Sequence, residues 1–272
     1  MDLDVEAATW MSIRDPIAAT FRRQSGSNLL IVGQNDEAAL SMMMVALISL
    51  AAQIPLQTFS MSEGGQDGGG SNFYVLDFGA VDAPYAGLWN KLAEALPGQV
   101  KVGQRRQLSE FIAELAAEVQ QRLDNERPGA PSRYLFVYGL HRARDLRQEE
   151  TMMSFGGFGE QPAAPSPAQQ FTTILREGPD LGIHTLVWCD TVTNLNRSLE
   201  RRALREFAMR VAFQMGAEDS ANLLDSPLAS KLGPHRALFY DEEEGRLEKF
   251  RPYGLPSAAW LEWVKGQFSG WC

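Results

Sequence analysis

Leu29-Leu30-Ile31-Val32-Gly33 runs directly into Gln34-Asn35-Asp36-Glu37-Ala38-Ala39-Leu40, and few folds accept that join. A continuous apolar run, a glycine and then an Ala-, Leu- and Met-rich stretch over residues 36–53 predict a strand buried on both faces that turns sharply into a helix. This is the layout of a phosphate-binding loop, whose pattern is G-x-x-x-x-G-K-[ST]. The chemistry of that pattern is missing. Counted from Gly33, the second glycine falls on Ala38, the lysine on Ala39 and the hydroxyl on Leu40. The lysine would neutralise phosphates and the hydroxyl would hold Mg²⁺; two methyl groups and an isobutyl group stand in their place. Asp36 and Glu37 also put carboxylates at the helix N-terminus, where bare amides would receive an anion. Asp36 is expected to be the N-cap and to occupy amides that a phosphate would need. The segment Gly33, Gln34, Asn35, Asp36, Glu37, Ala38, Ala39 and Leu40 therefore reads as a phosphate loop that keeps its frame and has lost its site.

The rest of the chain repeats strand and helix signals. Strands are predicted at 72–78 (NFYVLDF), 134–138 (YLFVY), 182–189 (GIHTLVWC) and 209–214 (MRVAFQ), with a short edge strand at 99–102. Helices are predicted at 83–96, 105–125, 168–177, 199–207 and 220–224. A hairpin pairs 236–240 with 246–251 around the acidic turn at 241–245, and a terminal amphipathic helix covers 258–268. Strands alternating with helices imply right-handed crossovers and a mainly parallel sheet. Two glycine-rich runs, 62–71 and 152–169, are expected to be mobile loops. A length of 272 residues fits a single domain, with its core at about 14–252.

Composition narrows the function. A net charge of −9 argues against a general phosphate-binding surface. Cys189 and Cys272 offer no disulfide framework and fit a reducing compartment. His141, His184 and His235 are too far apart in sequence to show a metal-ligand spacing, so no metal site is expected. The acidic start of the chain shows no signal peptide. The apolar stretch 38–54 carries Ser41, Ser49 and Gln53 and fits a buried helix better than a membrane span. The chain is expected to be soluble and cytoplasmic, with no membrane contact of its own, as part of a larger protein that is either free or membrane-anchored.

Four segments together resemble the motor domain of the FtsK/SpoIIIE-type DNA translocases, in the HerA–FtsK branch of RecA-like ATPases. They are the strand–Gly33–helix unit; Val75-Leu76-Asp77-Phe78-Gly79, which lacks the family's lysine; Thr173 to Trp188, with its Gly182-Ile183-His184 turn; and Met209 to Met215 with the following 217–224 and Lys231-Leu232-Gly233. The resemblance implies an α/β, RecA-like P-loop NTPase fold, with helices flanking the sheet and the C-terminal hairpin and helix appended. It also implies ATP and Mg²⁺ as cofactors, a hexamer and other ATPase modules as partners. This sequence departs from the family at the catalytic positions. Besides Ala39 and Leu40, the strand that should end in a Walker B carboxylate runs into Tyr138 and Gly139, and the sensor position reads Cys189-Asp190. Charged groups at the phosphate and metal sites supply nearly all phosphoryl-transfer catalysis. Their loss predicts a pseudo-ATPase with no catalytic residue and no bound cofactor, serving as an assembly, regulatory or partner-recognition module. The alternative is a translocase module that binds ATP and DNA in a hexamer.

Other features carry two readings each. Asp190 is a residual site residue or a loop cap. Arg22, Arg23, Arg142, Arg144 and Arg147 are fingers for a neighbouring subunit's nucleotide or exposed side chains, the last three paired with Asp145, Glu149 and Glu150. Arg197, Arg201, Arg202 and Arg205 form a basic cluster for nucleic acid or a solvated helix face, which Glu200 and Glu206 favour. Met152, Met153, Phe155 and Phe158 form a protein-partner surface or a loop folded over the sheet edge. Trp260, Trp263, Phe268 and Trp271 are expected to dock the last helix on the core. Asp77-Phe78-Gly79 matches a kinase string without kinase context and is taken as chance.

Overall fold

A computed structural model describes residues 17–53, 71–125, 130–147, 164–200 and 202–269. In chain order the elements are β1 (Leu29–Val32), α1 (Asp36–Ala51), β2 (Phe73–Asp77), α2 (Leu88–Ala95), β3 (Val100–Gly103), α3 (Leu108–Asn125), β4 (Arg133–Tyr138), α4 (Pro167–Glu177), β5 (Ile183–Cys189), α5 (Val192–Ser198), β6 (Met209–Ala212), α6 (Ala217–Leu224), β7 (Ala237–Asp241), β8 (Arg246–Phe250) and α7 (Ala258–Ser269). The eight strands form one sheet in the order β3-β2-β4-β5-β1-β6-β7-β8. β3 to β6 in that order pair in parallel. β7 and β8 add on antiparallel as the C-terminal hairpin. This is the α/β architecture that the sequence predicts, with a short edge strand at β3.

The sheet is covered on both faces, and side-chain alternation sorts the residues between two cores. Leu30, Val32, Leu135, Val137, Val187 and Cys189 face the layer built with α3, α4, α5 and α6. Leu29, Ile31, Phe136, Tyr138, Leu186 and Trp188 face the layer of α1, α2 and α7. The central strands are apolar on both faces because neither face meets water. Asn28, fully buried, ties the sheet to the α4 side: its side chain donates to Leu175 O and Glu206 O and accepts from Thr185 N. A buried amide is tolerable only when its polar atoms are answered in this way.

Several boundaries depart from the sequence reading, each for a local reason. The helix expected over 83–96 begins only at Leu88, because Gly87 takes a left-handed conformation at φ 80° after a turn. The helix expected over 199–207 is displaced. Thr191 accepts from Asn194 N and starts α5 earlier, and Ala203–Glu206 forms only a 3-10 turn. In α7 the docking side chains are Leu261 and Val264, with Phe268 partly buried beside them. Trp260 and Trp263 turn outward, 36% and 58% exposed. Trp271, Arg201, residues 62–70 of the first glycine-rich run and residues 152–163 of the second, with Met152, Met153, Phe155 and Phe158, lie outside the described residues.

Candidate functional site

Because β1, β2, β4, β5 and β6 run parallel, their carboxyl ends share one edge of the sheet. Ligands of open α/β sheets bind at that edge. The turns there are Gly33 to Asp36, Phe78-Gly79, Tyr138 to His141, Cys189 to Thr191 and Phe213-Gln214. All eleven sequence-predicted site residues lie on three of these turns or on the first five residues of α1.

The turn after β1 is closed on itself. Gly33 sits at φ +139°, and a Cβ built on it would lie 2.6 Å from the Cβ of Phe213, so only glycine fits. Its N–H donates to Cys189 O at 3.0 Å, and its carbonyl accepts from the indole N–H of Trp188 at 3.1 Å. The N-cap of α1 is Asn35, not Asp36: the Asn35 carboxamide accepts from Ala38 N at 3.0 Å. Asp36 instead turns its carboxylate to Glu37 N at 2.9 Å. Asn35 wins because it stands one residue outside the first helical turn, where a side-chain oxygen reaches the third amide. Ala39 N is taken by Asn35 O at 3.0 Å. The amides of Glu37, Ala38 and Ala39 are therefore all engaged within the turn. Ala39 and Leu40, at the lysine and hydroxyl positions, are buried in the α1-side core.

At the end of β4, Tyr138 occupies the acid position. It is buried, stacks on Trp188 at 4.6 Å between ring centroids, and donates its hydroxyl to Asp36 O at 3.1 Å. Burial, followed by the negative groups around it, pushes its phenol well above the ordinary range. Tyr85 joins the same network. Burial and a hydrogen bond to Asp36 raise its phenol to about 12. Both phenols thus act as neutral donors. Gly139 follows at φ +92°, against Phe78 O, and starts a 3-10 turn carrying His141. Asp77, paired across from Tyr138, is a carboxylate at this edge; its Oδ1 accepts from Gly79 N at 2.8 Å, and burial raises its pKa.

Beyond β5, both Asp190 oxygens accept from Asn194 Nδ2, at 2.9 and 3.0 Å, and Oδ1 also accepts from the Thr191 hydroxyl at 3.3 Å. Burial works to raise its pKa, but the Asn194 bond and the nearby His141 hold it below the usual carboxylate value. His141 Nδ1 lies 3.6 Å from Asp190 Oδ1, and its ring meets the Trp188 indole edge-on at 5.3 Å. Burial lowers the imidazole pKa, and Asp190 partly offsets this. Cys189 is buried, and burial pushes its thiol up to about 12. The fold thus brings His141, Cys189 and Asp190 together, with one ligating atom from each within 4.8 Å of the others. Spacing along the chain could not show this, because the residues lie at or just past the ends of two strands made adjacent only by the β4–β5 pairing.

An open groove of about 340 Å³ borders the first turn, lined by Gln34, Asn35, Asp36, Glu37, Phe213, Gln214, Pro234 and Arg236. Two carboxylates against one guanidinium make it a poor receiver of a polyphosphate. Of the three acids expected to pair with Arg142, Arg144 and Arg147, Asp145 is taken by another arginine. Asp145 pairs with Arg105 at 3.1 Å, Arg142 donates to Phe78 O and Arg147 to His141 O. Glu149 and Glu150 lie outside the described residues. The residues that sequence reasoning missed are Trp188, Tyr85, Asp77 and His141. Only Gly139, as a glycine at a strand end, hinted at the turn that delivers His141.

No family model and no curated protein matches the sequence. Solved structures do match it. The cytoplasmic domain of the Thermomonospora curvata type VII secretion ATPase EccC aligns at TM-score 0.56 and 16% identity over 90% of this chain and 28% of that one. EssC (ATPases 2 and 3) from Geobacillus thermodenitrificans aligns at 0.54 and 15% over 90% of this chain and 43% of that one. The pCW3 conjugation coupling protein TcpA, with ATPγS, aligns at 0.60 and 12% over 91% of this chain and 65% of that one. This chain has the fold of FtsK/SpoIIIE-type P-loop ATPase domains. It spans less than two thirds of the length of each of these three chains. Among the described residues no helix is long and apolar enough to cross a membrane.

Proposed function

We propose that this chain is a catalytically silent ATPase-type module of a larger multi-domain ATPase, serving assembly, regulation or partner recognition. The observation that carries the reading is the self-satisfied turn after β1. Glu37 N, Ala38 N and Ala39 N are bonded to Asp36, Asn35 side chain and Asn35 carbonyl in turn. A phosphate would have to displace these bonds, and no lysine at position 39 would compensate. Tyr138 stands where a carboxylate would hold Mg²⁺ and polarise water, and its hydroxyl is committed to Asp36 O. Two further points support a module within a longer machine. The chain spans only part of EccC and EssC. It also turns two large apolar side chains of α7, Trp260 and Trp263, to solvent and not into the core.

Calorimetric titration of the purified chain with Mg-ATP at millimolar nucleotide tests this. The expected result is no saturable heat and no rise in melting temperature, since a ligand that binds only the folded state must stabilise it. Saturable binding with turnover would overturn the reading and restore the translocase alternative.

A further inference from the structure

We propose that His141 Nδ1, Cys189 Sγ and Asp190 form a binding site for a thiophilic divalent cation of the Zn²⁺ type. The site is independent of any nucleotide. Three donors of different chemistry meet at one point of the sheet edge, all within 4.8 Å of one another. Nδ1 and Asp190 Oδ1 are 3.6 Å apart, and Cys189 Sγ and Oδ1 are 3.8 Å apart. With metal–ligand bonds of about 2.0–2.3 Å, a tetrahedral zinc holds its ligand atoms about 3.3–3.6 Å apart. The two pairs that share Asp190 Oδ1 thus stand within a few tenths of an ångström of ligating separations, and the His141–Cys189 pair, within 4.8 Å, closes by at most about 1.5 Å on binding.

The present bonds within the group are weak by length. Cys189 Sγ donates to Thr191 O at 3.6 Å, and Asp190 N donates to His141 Nδ1 at 3.4 Å. The stronger bonds are those that orient the donors. Asn194 grips both Asp190 oxygens, and the Trp188 indole fixes the plane of His141. On Asp190 Oδ1 a metal would take the place of the long Thr191 hydroxyl bond at 3.3 Å, while the Asn194 bonds stay. Such supporting contacts orient the ligands of metal sites in general.

Charge balance favours the assignment. A dication binds one thiolate, one carboxylate and one neutral imidazole, and the thiol proton leaves to solvent. The occupied site is then neutral, which suits a largely buried position. Cys189 is wholly buried, while the side chains of His141 and Asp190 are 11% and 27% exposed. A cation can therefore enter on their side and keep water as its fourth ligand. Its effect would be to tie the turn after β4 to the end of β5, one a strand neighbour of β2 and the other of β1.

The test uses the full chain, stripped with chelator and kept reduced. Co²⁺ is titrated by absorbance and Zn²⁺ by calorimetry. One equivalent should bind at micromolar concentration or tighter, raise the melting temperature and give a thiolate-to-cobalt charge-transfer band. Cys189→Ser should abolish the band, while Cys272→Ser should leave it. His141→Ala and Asp190→Asn should each weaken affinity by on the order of 10- to 100-fold. Asp190 is the most exposed of the three, so its conservative variant keeps the test open if another fails to fold. No saturable binding by the folded wild-type chain, or a band that survives Cys189→Ser, would overturn the assignment.

Discussion

The turn after β1 and the turns after β4 and β5 lie on the same edge of the sheet, yet their polar groups are treated oppositely. In the first, each helix-start amide described above has a partner inside the turn, and the side chains at the lysine and hydroxyl positions are buried. In the second, three ligating side chains face one another through long contacts, held in place mainly by neighbours. The first has become structure and the second keeps unspent chemistry. The difference shows that neighbouring turns of one sheet edge can be packed in opposite ways. Apolar side chains at positions 39 and 40 let the first turn pack, while at the second His141 and Asp190 stay partly exposed beside the buried Cys189. Trp188 joins the two turns, since its indole N–H bonds Gly33 O while its ring faces both Tyr138 and His141.

Removing that link should have the largest effect. Trp188→Ala is expected to lower stability by about 3–5 kcal/mol, as buried aromatic truncations do. Denaturant unfolding measures it. A loss under about 1.5 kcal/mol would mean that the two turns are held independently. A second probe sits on β5 away from the edge. Burial holds the His184 imidazole, bonded to Ser27 O, down to about 4, against 6.5 for the free group. The folded state therefore favours the neutral ring. Its contribution is complete above about pH 6.5 and is lost as pH falls toward 4. Stability should fall across that window with a slope from this group of at most about 1.4 kcal/mol per pH unit. His184→Gln should flatten the slope. An unchanged slope would trace the acid sensitivity to other groups, such as those of the edge. The smallest expected effect is at the cap. Asn35→Ala should cost about 1 kcal/mol by freeing Ala38 N. It should also leave Mg-ATP binding absent, since the lysine and hydroxyl positions remain apolar. Nucleotide binding gained by this variant would show that the cap alone seals the turn.

Much of the fold was legible because burial on both sheet faces leaves continuous apolar strands, and the glycine at 33 marks a join that little else can make. The empty chemistry of residues 38–40 was legible for the same reason: side-chain identity at a counted offset is sequence information. Asp36 was misjudged as the cap because Asn35 and Asp36 are both good capping residues, and only the backbone path decides which stands outside the first turn. The early start of α5 escaped for a similar reason, since Thr191 caps only once β5 has ended. The outward turn of Trp260 and Trp263 depended on which stripe of α7 met the core. Sequence by itself determined the α/β alternation, the loop frame and the apolar side chains at residues 38–40, all of them local patterns of apolarity and spacing. Tertiary structure alone decided that Trp188 closes the first turn and that His141 meets Cys189 and Asp190. Those contacts follow from β5 pairing between β4 and β1, and strand order is set by long-range packing that no local pattern records.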